Sequence, residues 1–213
     1  MIANRGPDPG SFPKHGHYKP HLRSVFGSCC AYCLTPDDRT GGLEGMTVDH
    51  FRSGTRFPHL RLTWTNLYYS CSVCNEHYKR DHPTEMEESK GFRFVDICAE
   101  DTDDHFRITR ERRSRALCWV KAITSAGRYT LRILRFNERP ALRDFWLELE
   151  RHERNAIEDL NDANKNIRTA KAMMRRGDES AEIHEILECA FVRRKKIRER
   201  LTEVRSRRPF PVE

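Results

Sequence analysis

Four cysteines arrive as two C-x2-C pairs, Cys30-Ala-Tyr-Cys33 and Cys71-Ser-Val-Cys74, with 37 residues between them. Each pair places two thiolates on one side of a tight turn, and two such turns complete a tetrahedral Zn2+ shell. The chain must therefore double back between residues 33 and 71. The gap is longer than a simple zinc ribbon needs, so the insert has a fold of its own. Cys29 sits beside Cys30 and is an alternative ligand, although the C-x2-C register favours Cys30. Cys98, Cys118 and Cys189 have no such spacing and read as core thiols. A site with four sulfurs has no open position, which makes this zinc structural and leaves catalysis to other residues.

Reading the cysteines as ligands rather than disulfides depends on compartment. The N-terminal stretch MIANRGPDPGSFPKHGH lacks the apolar centre of a signal peptide. No apolar run approaches the roughly 18 residues that cross a bilayer. The expectation is a cytoplasmic protein without a membrane segment. Charged residues make up 33% of the chain and mean hydropathy is −0.81, which points to much exposed helix. The 213 residues suffice for one large domain or two small ones.

Charge and periodicity divide the chain. Residues 1–28, rich in Pro, Gly and His, read as an irregular N-terminal arm, short enough to be packed against the rest. Residues 29–90 contain the metal-type spacing and end in a polar stretch, PTEMEESK, that reads as a loop. Residues 91–139 form a mixed α/β connecting segment; Tyr129, Leu131 and Ile133 alternate there, as in a strand with a bulge. Residues 140–208 are helical. Leu149, Ala156, Leu160, Ala163, Ile167, Ala170 and Met174 recur mainly at steps of three and four, Gly177-Asp178 supply a stop and a new N-cap, and Ile183, Leu187, Ala190, Ile197, Leu201 and Val204 continue the pattern. The expectation is a long antiparallel helical hairpin. Residues 191–208 hold nine Arg/Lys against two Glu, equal to the whole +7 net charge. That run suits contact with phosphates, and equally a solvated face or a protein-docking surface.

Within the insert, Val48-Asp49-His50-Phe51 and Trp64-Thr65-Asn66-Leu67 are the candidates for chemistry. A neutral imidazole beside a carboxylate can divide phosphodiester hydrolysis: one takes a proton from water, the other holds a hard cation against the phosphate. The order Cys30/Cys33, Asp49-His50, Asn66, Cys71/Cys74-Asn75 and Lys79 resembles the HNH endonucleases, whose ββα-metal (His-Me finger) fold is a β-hairpin followed by a helix. The stretch VDHFRSGTRFPHLRLTWTNLYYSCSVCNEHYKRDHP is further similar to the HNH subgroup paired with ATPases in Septu-type and retron-linked antiphage defence. The fold implied is α+β, a zinc-stabilised ββα-metal core followed by the mixed segment and the helical hairpin.

The resemblance implies roles. His50 is the general base, Asp49 and Asn75 hold the catalytic divalent ion, and Asn66 fixes the hairpin loop and with it the His50 ring. Lys79 contacts the scissile or a flanking phosphate, and Arg52 and Arg56 supply positive charge where the subgroup often has Pro-Lys. Asn75 stands where His is common; its amide oxygen is a hard ligand, which favours Mg2+ or Mn2+ over softer ions. In an α-helix begun near Asn75, Asn75 and Lys79 share a face and His77 lies roughly 200° away. The expected activity is hydrolysis of DNA, with an ATPase subunit as a possible partner on the hairpin. The alternative is a noncatalytic zinc module that binds nucleic acid or a protein.

Overall fold

The computed structural model describes residues 5–79, 82–110, 117–177 and 180–206. Compact packing divides the chain between Phe145 and Trp146.

The first unit is built around a hairpin of β1, Met46–His50, and β2, Leu67–Cys71. They pair antiparallel from Met46 opposite Cys71 to His50 opposite Leu67. β2 (LYYSC) is rich in aromatic residues, and all five of its residues are buried. Its Tyr68 ring stacks on Phe51 and Tyr32, while the Tyr69 hydroxyl donates to Asp37 Oδ2 at 2.8 Å. The outer edge of β2 is closed by the first cysteine turn, whose Ala31 N–H donates to the Tyr69 carbonyl at 2.7 Å. Gly45 leads into β1 where the chain passes the Thr40 carbonyl: a Cβ there would sit 1.6 Å from that oxygen, so only glycine fits.

The N-terminal arm has no regular element over residues 5–14, turns helical after them, and packs against the hairpin. A 3-10 turn at His15–Tyr18 runs into helix α1, Lys19–Val25, with Pro20 in its first turn. Tyr18 and Leu22 are buried, and Arg5 donates to the carbonyls of Trp64 and Leu67 with its guanidinium 4.3 Å over the Tyr68 ring. After β2 the chain enters a π-helical segment, Val73–Tyr78, rather than an α-helix. Its signature is the Lys79 N–H donating to the Cys74 carbonyl at 2.9 Å, five residues back.

Two further expectations are corrected in this unit. The polar stretch after Pro83 holds a short helix α2, Glu85–Ser89, started by a reciprocal capping box between Thr84 and Glu87. Residues 129–136 are not a strand, because helix α3 spans Ser125–Leu134. Thr124 caps it by accepting from Gly127 N–H, and Ala126, Tyr129, Thr130 and Leu134 bury one helical stripe. The strands of this segment are β3, Phe106–Arg110, and β4, Leu117–Ala122, paired antiparallel.

Helix α4, Pro140–Arg175, contains the boundary between the units, and α5, Ala181–Ser206, completes the second. In this second unit Ala156, Ala163, Ile197 and Leu201 form a buried cluster with Leu160 packed against it. Arg205 pairs with Glu153 at 2.9 Å and Arg193 with Asp159 at 3.0 Å, an antiparallel order. Gly177 stands at the turn with φ +93°; the expected N-cap Asp178 and the basic residues Arg207 and Arg208 lie outside the described residues. Cys189 is exposed and Cys98 half-buried, so neither is the core thiol expected, and the Cys118 side chain is outside the description. Among the described residues no helix is long and apolar enough to cross a membrane.

Candidate active site and metal centre

The zinc-type spacing converges in space. The sulfurs of Cys30, Cys33, Cys71 and Cys74 are buried and lie within 4.8 Å of one another. A tetrahedral shell with Zn–S of about 2.3 Å has sulfur–sulfur edges of about 3.8 Å. The Cys33–Cys71 separation is 3.9 Å. The donor set and its spacing therefore fit zinc. Cys29 is excluded: its sulfur faces the Gly27 carbonyl at 3.4 Å instead. Leu34, at φ +55°, closes the first turn by donating to the Cys30 carbonyl. Arg139, which no spacing rule singles out, directs Nη1 at Cys74 Sγ over 3.2 Å. Burial opposes its charge, but the neighbouring Cys74 and Cys33 sulfurs prevail and raise its pKa.

At the other end of the hairpin, strand alternation sends Asp49 and His50 to opposite faces. Thr47 and Asp49 share the face met by the π-helical segment. Asn75 Nδ2 donates to Thr47 Oγ1 at 3.0 Å, and Lys79 Nζ donates to Asp49 Oδ2 at 2.6 Å. The structure thus brings Asp49, Asn75 and Lys79 onto one side of β1. The π segment keeps Asn75 and Lys79 on a common side; the His77 side chain lies outside the description.

Lys79 has a different place from the surface position expected of a phosphate contact. Its side chain is fully buried, and its ammonium also donates to the carbonyls of His50 at 2.8 Å and Phe51 at 3.3 Å. The rings of Tyr32, Phe51 and Phe94 surround it at 5.1–5.7 Å. Burial lowers its pKa, with Asp49 working in the other direction. Asp49 Oδ2 accepts from the Tyr32 hydroxyl as well. Burial, then the Asp49 charge, holds that phenol well above its ordinary pKa, so it stays a donor.

His50 faces a different set of groups. Its Nε2 lies 3.0 Å from the Arg61 carbonyl, and its ring centroid is 5.0 Å from that of His15. A carbonyl only accepts, so Nε2 is the donor in this contact, and in a neutral ring the lone pair is then on Nδ1. The loop that brings Arg61 there is clamped by Asn66, which is 5% exposed. Its Oδ1 accepts from Arg52 N–H at 2.7 Å, while Nδ2 donates to the carbonyls of Arg52 at 3.0 Å and Leu60 at 3.1 Å. Gly54 lets the loop close: a Cβ there would stand 3.2 Å from Arg61 Cγ and 3.4 Å from His50 Cγ.

His15 was not foreseen at this site, and the His-rich arm was its only sequence signal. Burial lowers its pKa, and so do the neighbouring His50 and Arg61. Arg52 is exposed, with its guanidinium 4.4 Å over the Phe57 ring, and Arg56 donates to the Pro83 carbonyl at 2.6 Å.

Comparison with known families bears on this segment. Residues 30–81 match the family model for HNH endonuclease. The match begins at the first zinc-type cysteine turn and runs past Lys79, covering both strands of the hairpin. No curated protein and no solved structure matches the chain. The HNH match supports nuclease activity with metal binding, and the four-cysteine cluster is compatible with zinc.

Proposed function

We propose that the protein is a metal-dependent endonuclease that hydrolyses phosphodiester bonds in DNA, with His50 as the base. The observation that carries this reading is the Nε2 contact of His50 to the Arg61 carbonyl at 3.0 Å. It leaves Nδ1 as the atom that takes a proton from the attacking water. Asn66 acts through the loop, keeping the Arg61 carbonyl against the ring, and so is a positioning residue. Asp49 and Asn75 would hold a divalent ion of the Mg2+ or Mn2+ type through hard oxygen atoms. When bound, that ion stabilises charge on the phosphate and the departing oxygen. Asp49 Oδ2 already accepts from Lys79 and Tyr32, so the ion would take Oδ1 or displace the ammonium.

The test is plasmid cleavage in Mg2+ or Mn2+ by wild type and His50→Ala. Nicking by wild type that is lost in the variant is the expected result; equal nicking by both refutes His50 as the base. The Lys79–Asp49 ion pair favours a second reading, a noncatalytic zinc module, because it neutralises the expected metal ligand. Absence of cleavage by wild type under every ion tested selects that reading. We further place the nuclease as an effector in antiphage defence, with the helical second unit docking an ATPase subunit that gates cutting. Co-purification with such a subunit is the expected observation; a monomer fully active without one counts against it.

A further inference from the structure

Beside the end of β1 lies a cavity of about 350 Å3 that the hydrolytic chemistry does not use. Phe51, Phe57 and Phe94 form much of its wall, and Arg52, Arg56 and Arg93 add three guanidinium groups. We propose that this cavity receives one unstacked nucleotide adjoining the bond to be cut, its base between the aromatic walls and its phosphate at the arginines. The proposal rests on the nuclease reading and specifies the strand form it acts on.

Volume argues first. The space falls in the range of pockets that enclose small organic ligands, well beyond the needs of a single phosphate group. The walls argue next. A phosphate-only site is polar, whereas this one is lined by three phenylalanines as well as three arginines, and aromatic rings and guanidinium planes are the two surfaces on which bases stack. Arg52 and Arg56 lie 4.4 and 5.6 Å from the Phe57 centroid, so ring and cations form one layered surface. Arg93 is fixed by a two-pronged pair with Glu100, at 2.6 and 2.5 Å.

Glu88 also lines the cavity. A carboxylate there repels phosphate but accepts from the exocyclic amino group of a base. The base therefore belongs inside and the phosphate at the rim, where Arg52 and Arg56 are exposed. The Lys79 ammonium lies 5.7 Å from the Phe51 ring centroid and 2.6 Å from Asp49 Oδ2, which puts the bound unit beside the proposed ion site. Drawing a base out of a duplex costs a few kcal/mol, so single strands, flaps and mismatched sites bind better than intact duplex.

The experiment measures binding by anisotropy, using the full zinc-loaded chain without added Mg2+. The probes are a short fluorescein-labelled single-stranded DNA of mixed sequence and the duplex of that sequence. Phe57→Ala and Phe57→Leu should weaken single-strand binding about 5- to 100-fold, the range of one lost stacking contact. Phe57→Trp should restore it, and none should change duplex binding. Arg56→Gln should reduce the salt dependence by about one charge. Unchanged zinc content and circular dichroism show that the variants are folded. The proposal is overturned if Phe57→Leu binds the single strand as wild type does, or if single-strand and duplex affinities fall together. Wild type that cuts plasmid while Phe57→Leu binds normally removes the pocket and leaves the nuclease reading standing. Wild type that neither binds nor cuts removes both.

Discussion

Replacing Lys79 with methionine probes the least expected feature of the site. Methionine keeps the apolar stem among Tyr32, Phe51 and Phe94 but removes the ammonium. The side chains of Lys79 and Asp49 are 0% and 6% exposed, and their charged atoms are 2.6 Å apart. Breaking a buried pair by deleting one partner strands the other charge and costs about 3–5 kcal/mol. The Tyr32 hydroxyl still donates to Asp49, while the carbonyls of His50 and Phe51 lose their donor. With a urea slope of about 2 kcal/mol per molar, the unfolding midpoint should fall by roughly 1.5–2.5 M. Adding Asp49→Asn removes the stranded charge, so the double variant should recover about 2–3 kcal/mol relative to the sum of the singles. The assay is urea unfolding by tryptophan fluorescence, with and without Mg2+. If Asp49 binds a divalent ion, Mg2+ should stabilise Lys79→Met more than wild type, because ion and ammonium compete for one carboxylate. Strictly additive single-variant costs would refute the buried pair. Equal Mg2+ effects on both proteins would refute displacement of the ammonium by the ion at Asp49.

Metal analysis should find one zinc per chain; Cys71→Ser should lower that content, and chelation should unfold the first unit as judged by circular dichroism. Asn66→Ala removes three hydrogen bonds that position the His50 loop and should cut the cleavage rate about 10- to 100-fold with zinc retained, as measured in single-turnover assays. The Arg23 guanidinium, joined by the Tyr69 hydroxyl, holds Asp37 below the ordinary carboxylate pKa. Its stabilising contribution is therefore present above about pH 4 and disappears as pH falls through the lowered value, and Asp37→Asn should remove that acid-dependent part of an unfolding titration. Ala163→Leu should destabilise the helical unit by about 1–3 kcal/mol in thermal unfolding, because Ala163 is 1% exposed in the cluster with Ile197 and Leu201.

Much of the zinc centre was legible because ligand chemistry imposes local spacing: two C-x2-C turns mean a site wherever they meet. Asn66 was legible through the family pattern, and its loop role follows from where its amide sends its hydrogen bonds. Other features were written in the sequence but lost to competing signals. Thr84 and Glu87 spell a capping box inside a stretch that reads as polar loop. Tyr129, Leu131 and Ile133 alternate, yet Thr124 as N-cap and the stripe of Ala126, Tyr129, Thr130 and Leu134 decide for helix. The remaining features were not legible, being set by packing between distant residues. Arg139 reaches Cys74 from 65 positions away, and nothing local announces that Lys79 is buried. A lysine four residues after a candidate ligand looks solvent-exposed until its partners are known.

The two ends of the hairpin show how a structural metal at the four cysteines would matter to hydrolysis proposed at His50. Cys71 ends β2 opposite Met46, and Asn66 stands just before the Leu67–His50 pair at the other end. Zinc on the four cysteines and the Asn66 amide would therefore hold the two ends of one register. A slip of one residue in that pairing turns every side chain of the strand to the opposite face. Asp49 would leave Lys79 and the Asn75 side, and His50 would leave the Arg61 carbonyl. Alternation keeps Asp49 and His50 on opposite faces, and register decides which face each takes. Loss of zinc should then abolish cleavage by disordering the strand that bears both residues, with no change in the chemistry either can perform.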